Sequence, residues 1–134
     1  MIKSIALGAA AMAHLLVLAT AADASCASRT QISGTWKADD KGTYVIRRAP
    51  NNVIWWMAES PDDGKSWTNV FRGTFDGKKT ITGEWADVKG WQKGGNVGTL
   101  TLELIGTDKA LSGFKKVGAS GSGFGATRWF FECG

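Results

Sequence analysis

Short runs of β-forming residues, separated by turn signals, dominate this chain from about residue 33 onward. The runs are rich in Val, Ile, Thr, Phe and Trp, and they recur about every 8–14 residues without a sustained helical period. Such a pattern is typical of an all-β domain. It predicts eight strands, near residues 33–38, 43–49, 53–60, 67–75, 80–88, 97–106, 111–117 and 127–133.

Eight sequential antiparallel strands can remove both exposed sheet edges if the last strand pairs with the first. The chain also contains 18 glycines, which let strands coil around a cylinder. We therefore expect an eight-stranded antiparallel up-and-down β-barrel.

The N-terminal segment is typical of a secretory signal peptide. Lys3 supplies a positive start, residues 5–20 are mostly apolar, and Ala22-Asp23-Ala24 offers a small-x-small cleavage pattern. A membrane anchor is the alternative, although the apolar run is short for a membrane span. We expect residues 1–24 to be the signal peptide, residues 25–134 to form one barrel domain, and the protein to be secreted or periplasmic, with no membrane span in the mature chain.

The two cysteines, Cys26 and Cys133, lie at the ends of the expected mature chain. In an oxidising compartment a disulfide between them is the first interpretation, and barrel closure brings both ends to neighbouring strands. Such a bridge stabilises by about 4–5 kcal/mol on the chain-entropy account. Two free thiols are the alternative.

The residues available for chemistry favour binding over catalysis. The only histidine, His14, lies in the expected leader, so the mature chain has no imidazole. Glycoside hydrolysis would need two facing carboxylates, and the strand-borne candidates are Glu59, Glu84 and Asp87. Glu84 and Asp87 lie three positions apart and so face opposite sides of a strand. No catalytic motif stands out, and we expect neither a cofactor nor a metal.

Charge gives little indication of a nucleic-acid partner. The formal net charge is +4, and the lysines and arginines are scattered along the chain. Paired basic residues on a strand face opposite ways, so they form no continuous basic stripe. We expect no nucleic-acid binding.

The connections between strands are unequal at the two ends of the expected barrel. In an up-and-down meander successive connections alternate between ends, so the short turns at 50–52, 76–79 and 107–110 share one end. The opposite end, called the long-loop end here, receives residues 61–66, 89–96 and 118–126 together with the first loop. Ligands commonly bind at barrel mouths and on loops held by a rigid scaffold. We therefore predict a glycan or another small organic molecule as ligand at the long-loop end.

Aromatic and charged loop residues provide the candidate contacts. Trp91 and Phe124 lie among glycines and polar residues, so they are the expected apolar faces; the expected polar contacts are Lys65, Lys89, Lys93, Asp39 and Asp63. Trp55 and Trp56 are adjacent on a strand, so one points inward and the other outward. The remaining tryptophans are expected in the core: Trp36, Trp67, Trp85 and Trp129.

Residues 60–67, Ser-Pro-Asp-Asp-Gly-Lys-Ser-Trp, resemble the Asp box of sialidases and other β-proteins. In that motif the Asp and Gly shape a hairpin turn and the Trp packs beneath it. The resemblance implies structural roles for Asp62, Gly64 and Trp67, and it does not imply glycosidase activity.

Gly34-Thr35-Trp36, followed by Gly42-Thr43-Tyr44, resembles the opening hairpin of avidin-type barrels, and lipocalins also begin with Gly-x-Trp. In lipocalins an arginine of the last strand packs on that Trp, which implies that Arg128 packs on Trp36. Avidins hold an Asn for biotin shortly after the Trp, where this chain has Ala38, so biotin binding is not implied.

Two other functions remain open from the sequence. The same loops could bind a target protein, which would make the chain a secreted enzyme inhibitor or interaction module. An oligomeric shell or envelope component could use the outward tryptophan of the 55–56 pair as a subunit contact.

Overall fold

The computed structural model describes residues 28–88, 96–121 and 123–131. These residues form eight strands, and the connection between β2 and β3 is a short 3₁₀ turn at Pro50–Asn52. No helix in the described ranges is long and apolar enough to cross a membrane. The strands are β1 (Gly34–Ala38), β2 (Thr43–Ala49), β3 (Val53–Glu59), β4 (Thr68–Phe75), β5 (Thr80–Asp87), β6 (Val97–Thr107), β7 (Ala110–Ala119) and β8 (Arg128–Phe130).

The strands form a closed antiparallel barrel in which each strand pairs with the next along the chain. The cylinder closes where β8 pairs with β1, with Lys37 opposite Phe130 and Ala38 opposite Trp129. This confirms the predicted eight-stranded up-and-down barrel, and the strand positions agree closely with those expected from the sequence. The exception is β8, which is shorter than the predicted 127–133 strand.

Side chains alternate between the barrel interior and its outer wall, as β-strands require. On β3, for example, Trp56 points inward and is 2% exposed, whereas Trp55 points outward and is 47% exposed. The interior is filled by large apolar side chains rather than by an open channel. The largest fully buried side chains are Trp36, Trp85, Trp129, Tyr44, Phe71, Phe75, Phe114, Ile32, Ile54, Ile81, Leu100 and Leu102.

The segment before β1 fills the end of the barrel at which the short turns lie. Arg29 pairs with Leu111 through two backbone hydrogen bonds of 2.8 Å. Ile32 is fully buried, and its carbonyl accepts a 2.9 Å hydrogen bond from Trp36 Nε1. Because these residues close the base, the long-loop end is where an opening into the barrel has to be sought.

The arginine that packs on Trp36 is Arg29, so the role expected for Arg128 was wrong. The Arg29 guanidinium carbon lies 4.9 Å from the Trp36 ring centroid and 4.8 Å from that of Phe131. Arg128 is exposed, because its neighbour Trp129 faces inward and successive strand residues face opposite ways.

Two glycines on neighbouring strands make room for an aromatic ring inside the barrel. Gly73 on β4 lies directly opposite Gly83 on β5. A Cβ atom at either glycine would come within 2.7 Å of the Phe71 ring. Phe71 in turn stacks on Trp56, with ring centroids 4.2 Å apart. The absence of side chains at these two positions therefore allows the central aromatic stack to form.

The expected signal peptide at residues 1–24 and the proposed Cys26–Cys133 bridge lie outside the described residues. Both remain predictions from the sequence.

Candidate functional site

A pocket of about 180 Å³ opens at the long-loop end of the barrel. Its walls come from the 39–42 connection, the start of β2, the 60–67 connection, the start of β4, the end of β5 and the segment before β8. The first, third and seventh connections therefore meet at one site, because successive connections of an up-and-down barrel alternate between its two ends. The lining residues are Asp40, Tyr44, Trp67, Asn69, Asp87, Gly123, Phe124 and Gly125.

Three aromatic rings line the pocket. Trp67 and Tyr44 have ring centroids 6.1 Å apart, and Trp67 packs so closely on Gly42 that a Cβ there would lie 2.4 Å from the indole. Phe124 is partly buried, and its ring centroid lies 5.1 Å from that of Trp85 and 6.0 Å from that of Trp129. The aromatic lining thus continues directly into the aromatic core.

Trp129 connects the pocket lining with the core. Its ring lies 5.6 Å from that of Tyr44, and it is fully buried. Its indole nitrogen is also buried and donates to no acceptor in the part of the chain that the structure describes. A buried donor without an acceptor costs about 1–3 kcal/mol. Within the described residues the Trp129 indole N–H is such a donor, and it lies next to the rings that line the pocket.

Asp40 and Tyr44 form a hydrogen-bonded pair in the pocket. The Tyr44 hydroxyl donates to Asp40 Oδ2 at 2.6 Å, and the Gly42 amide donates to Asp40 Oδ1 at 2.8 Å. Burial raises the pKa of Tyr44 far above its usual value, and so do the hydrogen bond to Asp40 and the negative charges of Asp40, Asp39 and Asp87. Tyr44 therefore stays protonated, and its proton is directed to Asp40.

Asn69 links the core to the second carboxylate of the pocket. Asn69 is 3% exposed, accepts a 2.8 Å hydrogen bond from Trp56 Nε1, and donates a 3.0 Å hydrogen bond to Asp87 Oδ1. Since both ends of the amide are engaged, its orientation is fixed. The other Asp87 oxygen accepts no hydrogen bond within the described residues.

The Asp-box segment holds Trp67 at the edge of the pocket. The Asp62 carboxylate accepts hydrogen bonds from the hydroxyls of Ser60 and Ser66 and, at 3.1 Å, from the Ser66 amide. These bonds, the Ser60 hydroxyl first, lower the pKa of the Asp62 carboxyl well below its usual range. Gly64 has a φ of +77°, a left-handed conformation that favours glycine. Asp62 and Gly64 therefore shape the turn that leads into Trp67.

Asp39 holds two connections of the long-loop end together. Its carboxylate accepts hydrogen bonds from the Thr127 hydroxyl, from the Thr127 amide at 2.8 Å and from the Arg128 amide at 3.4 Å. Partial burial raises the pKa of Asp39, but these hydrogen bonds outweigh it, and the pKa lies below its usual value. Asp39 thus stabilises the rim of the pocket by joining these two connections, and it is not one of the lining residues.

Replacing Asp39 with asparagine should therefore make stability less dependent on pH. A carboxyl whose pKa is lowered by folding stabilises the fold above its unfolded pKa, and this contribution disappears as the pH falls through the folded pKa. We expect Asp39→Asn to be less stable than wild type at pH 7, with the difference shrinking below pH 3.8, the ordinary value for aspartate. Urea unfolding midpoints at pH 7 and pH 3 measure this.

Asp63→Asn is the matched control, because Asp63 is exposed on the neighbouring loop and asparagine tolerates its φ of +60°. It should follow the wild-type midpoint at both pH values. If the difference between wild type and Asp39→Asn stayed constant with pH, the assigned hydrogen bonds would not hold the carboxylate.

The structure brings only part of the predicted site together. Phe124 lines the pocket, whereas Lys65 and Asp63 are exposed and do not line it. Trp91, Lys89 and Lys93 lie outside the described residues. The sequence interpretation did not single out four of the lining residues as ligand contacts: Tyr44, Trp67, Asn69 and Asp87. Three of them could have been found as polar groups at strand ends, because alternation points Tyr44, Asn69 and Asp87 toward the interior.

The outer wall exposes a row of apolar side chains across five strands. The residues of this row are direct partners in the register, and they are Val45, Met57, Val70, Ala86 and Val97. Trp55 lies beside the row, and its ring stacks under the Arg72 guanidinium at 5.3 Å. The exposed tryptophan of the 55–56 pair therefore belongs to the wall and lies outside the pocket lining.

Among the described residues, no group of three or more His, Cys, Asp or Glu side chains could hold a metal ion. No protein-family model, curated protein or solved structure matches the chain. Functional inference therefore depends on the pocket itself.

Proposed function

We propose that this protein is a secreted β-barrel binding protein that takes a glycan or another small organic molecule at the long-loop end. The observation that carries the proposal is the pocket there, which combines three aromatic rings with two carboxylates and a fixed amide. Aromatic faces supply stacking area, while a few placed polar groups select orientation, which is the usual composition of a small-molecule site.

The size of the pocket limits what enters it. A volume of about 180 Å³ is smaller than the roughly 300–1,000 Å³ of sites that enclose drug-sized molecules. One ring or one short substituent would enter the pocket, and the rest of a larger ligand would contact the surrounding loops.

Two observations bear on the inhibitor alternative and on the glycosidase pair considered from the sequence. In the 118–126 segment that a loop-inserting inhibitor would project, Phe124 and Ala126 pack on the core, whereas residues 118–121, 123 and 125 are exposed. A glycosidase pair of Glu84 and Asp87 would have to face one sugar. Glu84 lies on the outer wall opposite Arg72, whereas Asp87 lines the pocket.

The test is a panel of glycans and small organic molecules screened by tryptophan fluorescence and by amide chemical shifts. Gly125→Leu should block the pocket, because Gly125 lines it and a Cβ there meets no atom within 4 Å. We expect at least one compound to bind wild type and to lose at least about ten-fold in affinity to Gly125→Leu, a difference of about 1.4 kcal/mol. The melting temperature should stay close to that of wild type.

Met57→Ala is the control, since Met57 is 71% exposed on the outer wall. Compounds that bind Gly125→Leu as well as wild type, but lose affinity to Met57→Ala, would place the site on the wall and contradict the proposal.

A further inference from the structure

The carboxylates of the pocket have no cationic partner among the described residues. Asp40 and Asp87 form no ion pair with a described lysine or arginine, whereas Glu103 contacts both Lys79 and Lys115. The described lining residues include neither lysine nor arginine. The sequence as a whole carries a formal net charge of +4. Within the described residues, neither lining carboxylate is therefore neutralised by an ion pair, and the Lys116 ammonium lies beside the lining residue Phe124.

The two carboxylates of the lining present acceptors to the pocket. A carboxylate only accepts hydrogen bonds, and the single Tyr44 hydroxyl proton is already donated to Asp40 at 2.6 Å. One Asp87 oxygen accepts from Asn69 at 3.0 Å, and its second oxygen has no donor within the described residues. The group that complements this arrangement carries several N–H donors and a positive charge.

The aromatic rings are compatible with such a group. Ring faces attract cations, and the attraction strengthens where water is excluded. Phe124 already attracts one ammonium group: Lys116 Nζ, which is not a lining group, lies 5.7 Å from its centroid. Tyr44 and Trp67 also line the pocket, Tyr44 as an almost fully buried ring and Trp67 as a partly buried one.

We propose, on the basis of the pocket function above, that the bound group is a primary ammonium or guanidinium held between Asp40, Asp87 and the three aromatic rings. An amino sugar, an alkylamine or the side chain of a basic peptide would present this chemistry. A carboxylate or phosphate group would be repelled by the same two acids.

Three probes of matched shape test the proposal by titration calorimetry at low ionic strength: cyclohexylammonium, cyclohexanol and cyclohexanecarboxylate. We expect cyclohexylammonium to bind wild type at least about ten-fold more tightly than cyclohexanol, because hydrogen bonds to charged groups are the stronger ones. Cyclohexanecarboxylate should show no binding. Salt should weaken ammonium binding, since added ions screen the carboxylates.

Asp87→Asn removes one charge and keeps an oxygen that can accept the Asn69 hydrogen bond. It should weaken ammonium binding by at least about ten-fold and leave cyclohexanol binding unchanged. Asp63→Asn is the matched control at the same end of the barrel and should change neither. Asp40→Asn is the second variant if Asp87→Asn proves unstable, and it should reproduce the selective loss.

Equal affinity of wild type for the ammonium and the alcohol would overturn the proposal, and so would equal effects of Asp87→Asn and Asp63→Asn. If cyclohexanol bound in a manner that Gly125→Leu abolished, without any preference for the ammonium, the pocket function would stand while the cation assignment fell. Ammonium binding that Gly125→Leu left intact would contradict the assignment to this pocket. Failure of all three probes would also overturn the cation assignment, and the glycan panel would then decide the pocket function separately.

Discussion

Replacing Trp56 with alanine is expected to lower the free energy of unfolding by about 3–5 kcal/mol, the usual cost of truncating a buried aromatic side chain. Trp56 stacks on Phe71 at 4.2 Å, and its ring lies 5.5 Å from Tyr44. The change also removes the donor that satisfies Asn69, whose oxygen accepts the Trp56 indole hydrogen at 2.8 Å. Typical domains unfold with only about 5–15 kcal/mol, so this is a large share of the total. Urea unfolding followed by circular dichroism measures it.

Trp55→Ala is the control supplied by the adjacent position. Trp55 is 47% exposed, so its truncation removes only part of a buried surface, together with a contact to Arg72 worth about 0.5–1 kcal/mol. The two substitutions remove the same atoms from neighbouring residues. The difference between their free energies of unfolding therefore reports the effect of facing the interior instead of the outer wall. Similar losses in both variants would contradict the assigned strand orientation.

Replacing Gly83 with alanine is expected to destabilise the barrel by about 2–3 kcal/mol, a typical cost of overpacking a core. The new Cβ would lie 2.2 Å from the Arg72 carbonyl oxygen and 2.4 Å from Gly73 Cα. Because these are backbone atoms, no side-chain rotation relieves the contact, and strands β4 and β5 must separate locally. Thermal and urea unfolding both report the change.

Gly118→Ala, also within a strand, is the comparison. Its nearest contact would be Thr101 Cβ at 3.8 Å, an ordinary separation. The free energy of unfolding of Gly118→Ala should equal the wild-type value within about 0.5 kcal/mol or exceed it slightly, since alanine restricts the unfolded chain. Equal destabilisation by both substitutions would mean that strand glycines matter for backbone freedom and not for the close approach at Gly83.

The fold was predictable because its signals are local. Alternation along each strand and turn residues between strands predict eight strands, and sheet closure removes their edges. The same alternation predicts the orientation of Arg128 correctly, whereas the lipocalin resemblance does not. Trp129 faces inward, so Arg128 faces outward and cannot reach Trp36, and Arg29 occupies that position from outside the strands.

The pocket was less predictable because its groups meet only after closure. The unequal connections predict an opening at the long-loop end, which is the end where the pocket lies, and Phe124 lines that pocket. The bonds between Asp39 and Thr127 join residues 88 positions apart, and no local pattern reveals such a pair. Lys65 and Asp63 are polar loop residues like those that bind ligands elsewhere, but the Asp-box turn leaves both exposed.

The seam between β1 and β8 has a consequence for motion. It joins residues from opposite ends of the described chain at only two register positions, and β8 itself has three residues. Loop closure makes such a distant pairing slow to form, and the bonds of Asp39 to Thr127 and Arg128 supplement the short strand pairing. Trp129 belongs to this seam and also contacts Tyr44 and Phe124. Since Asp39 joins this seam to Thr127 and Arg128 at the long-loop end, loss of its carboxylate is expected to loosen the barrel first between β1 and β8, while the opposite wall keeps its longer strand pairs.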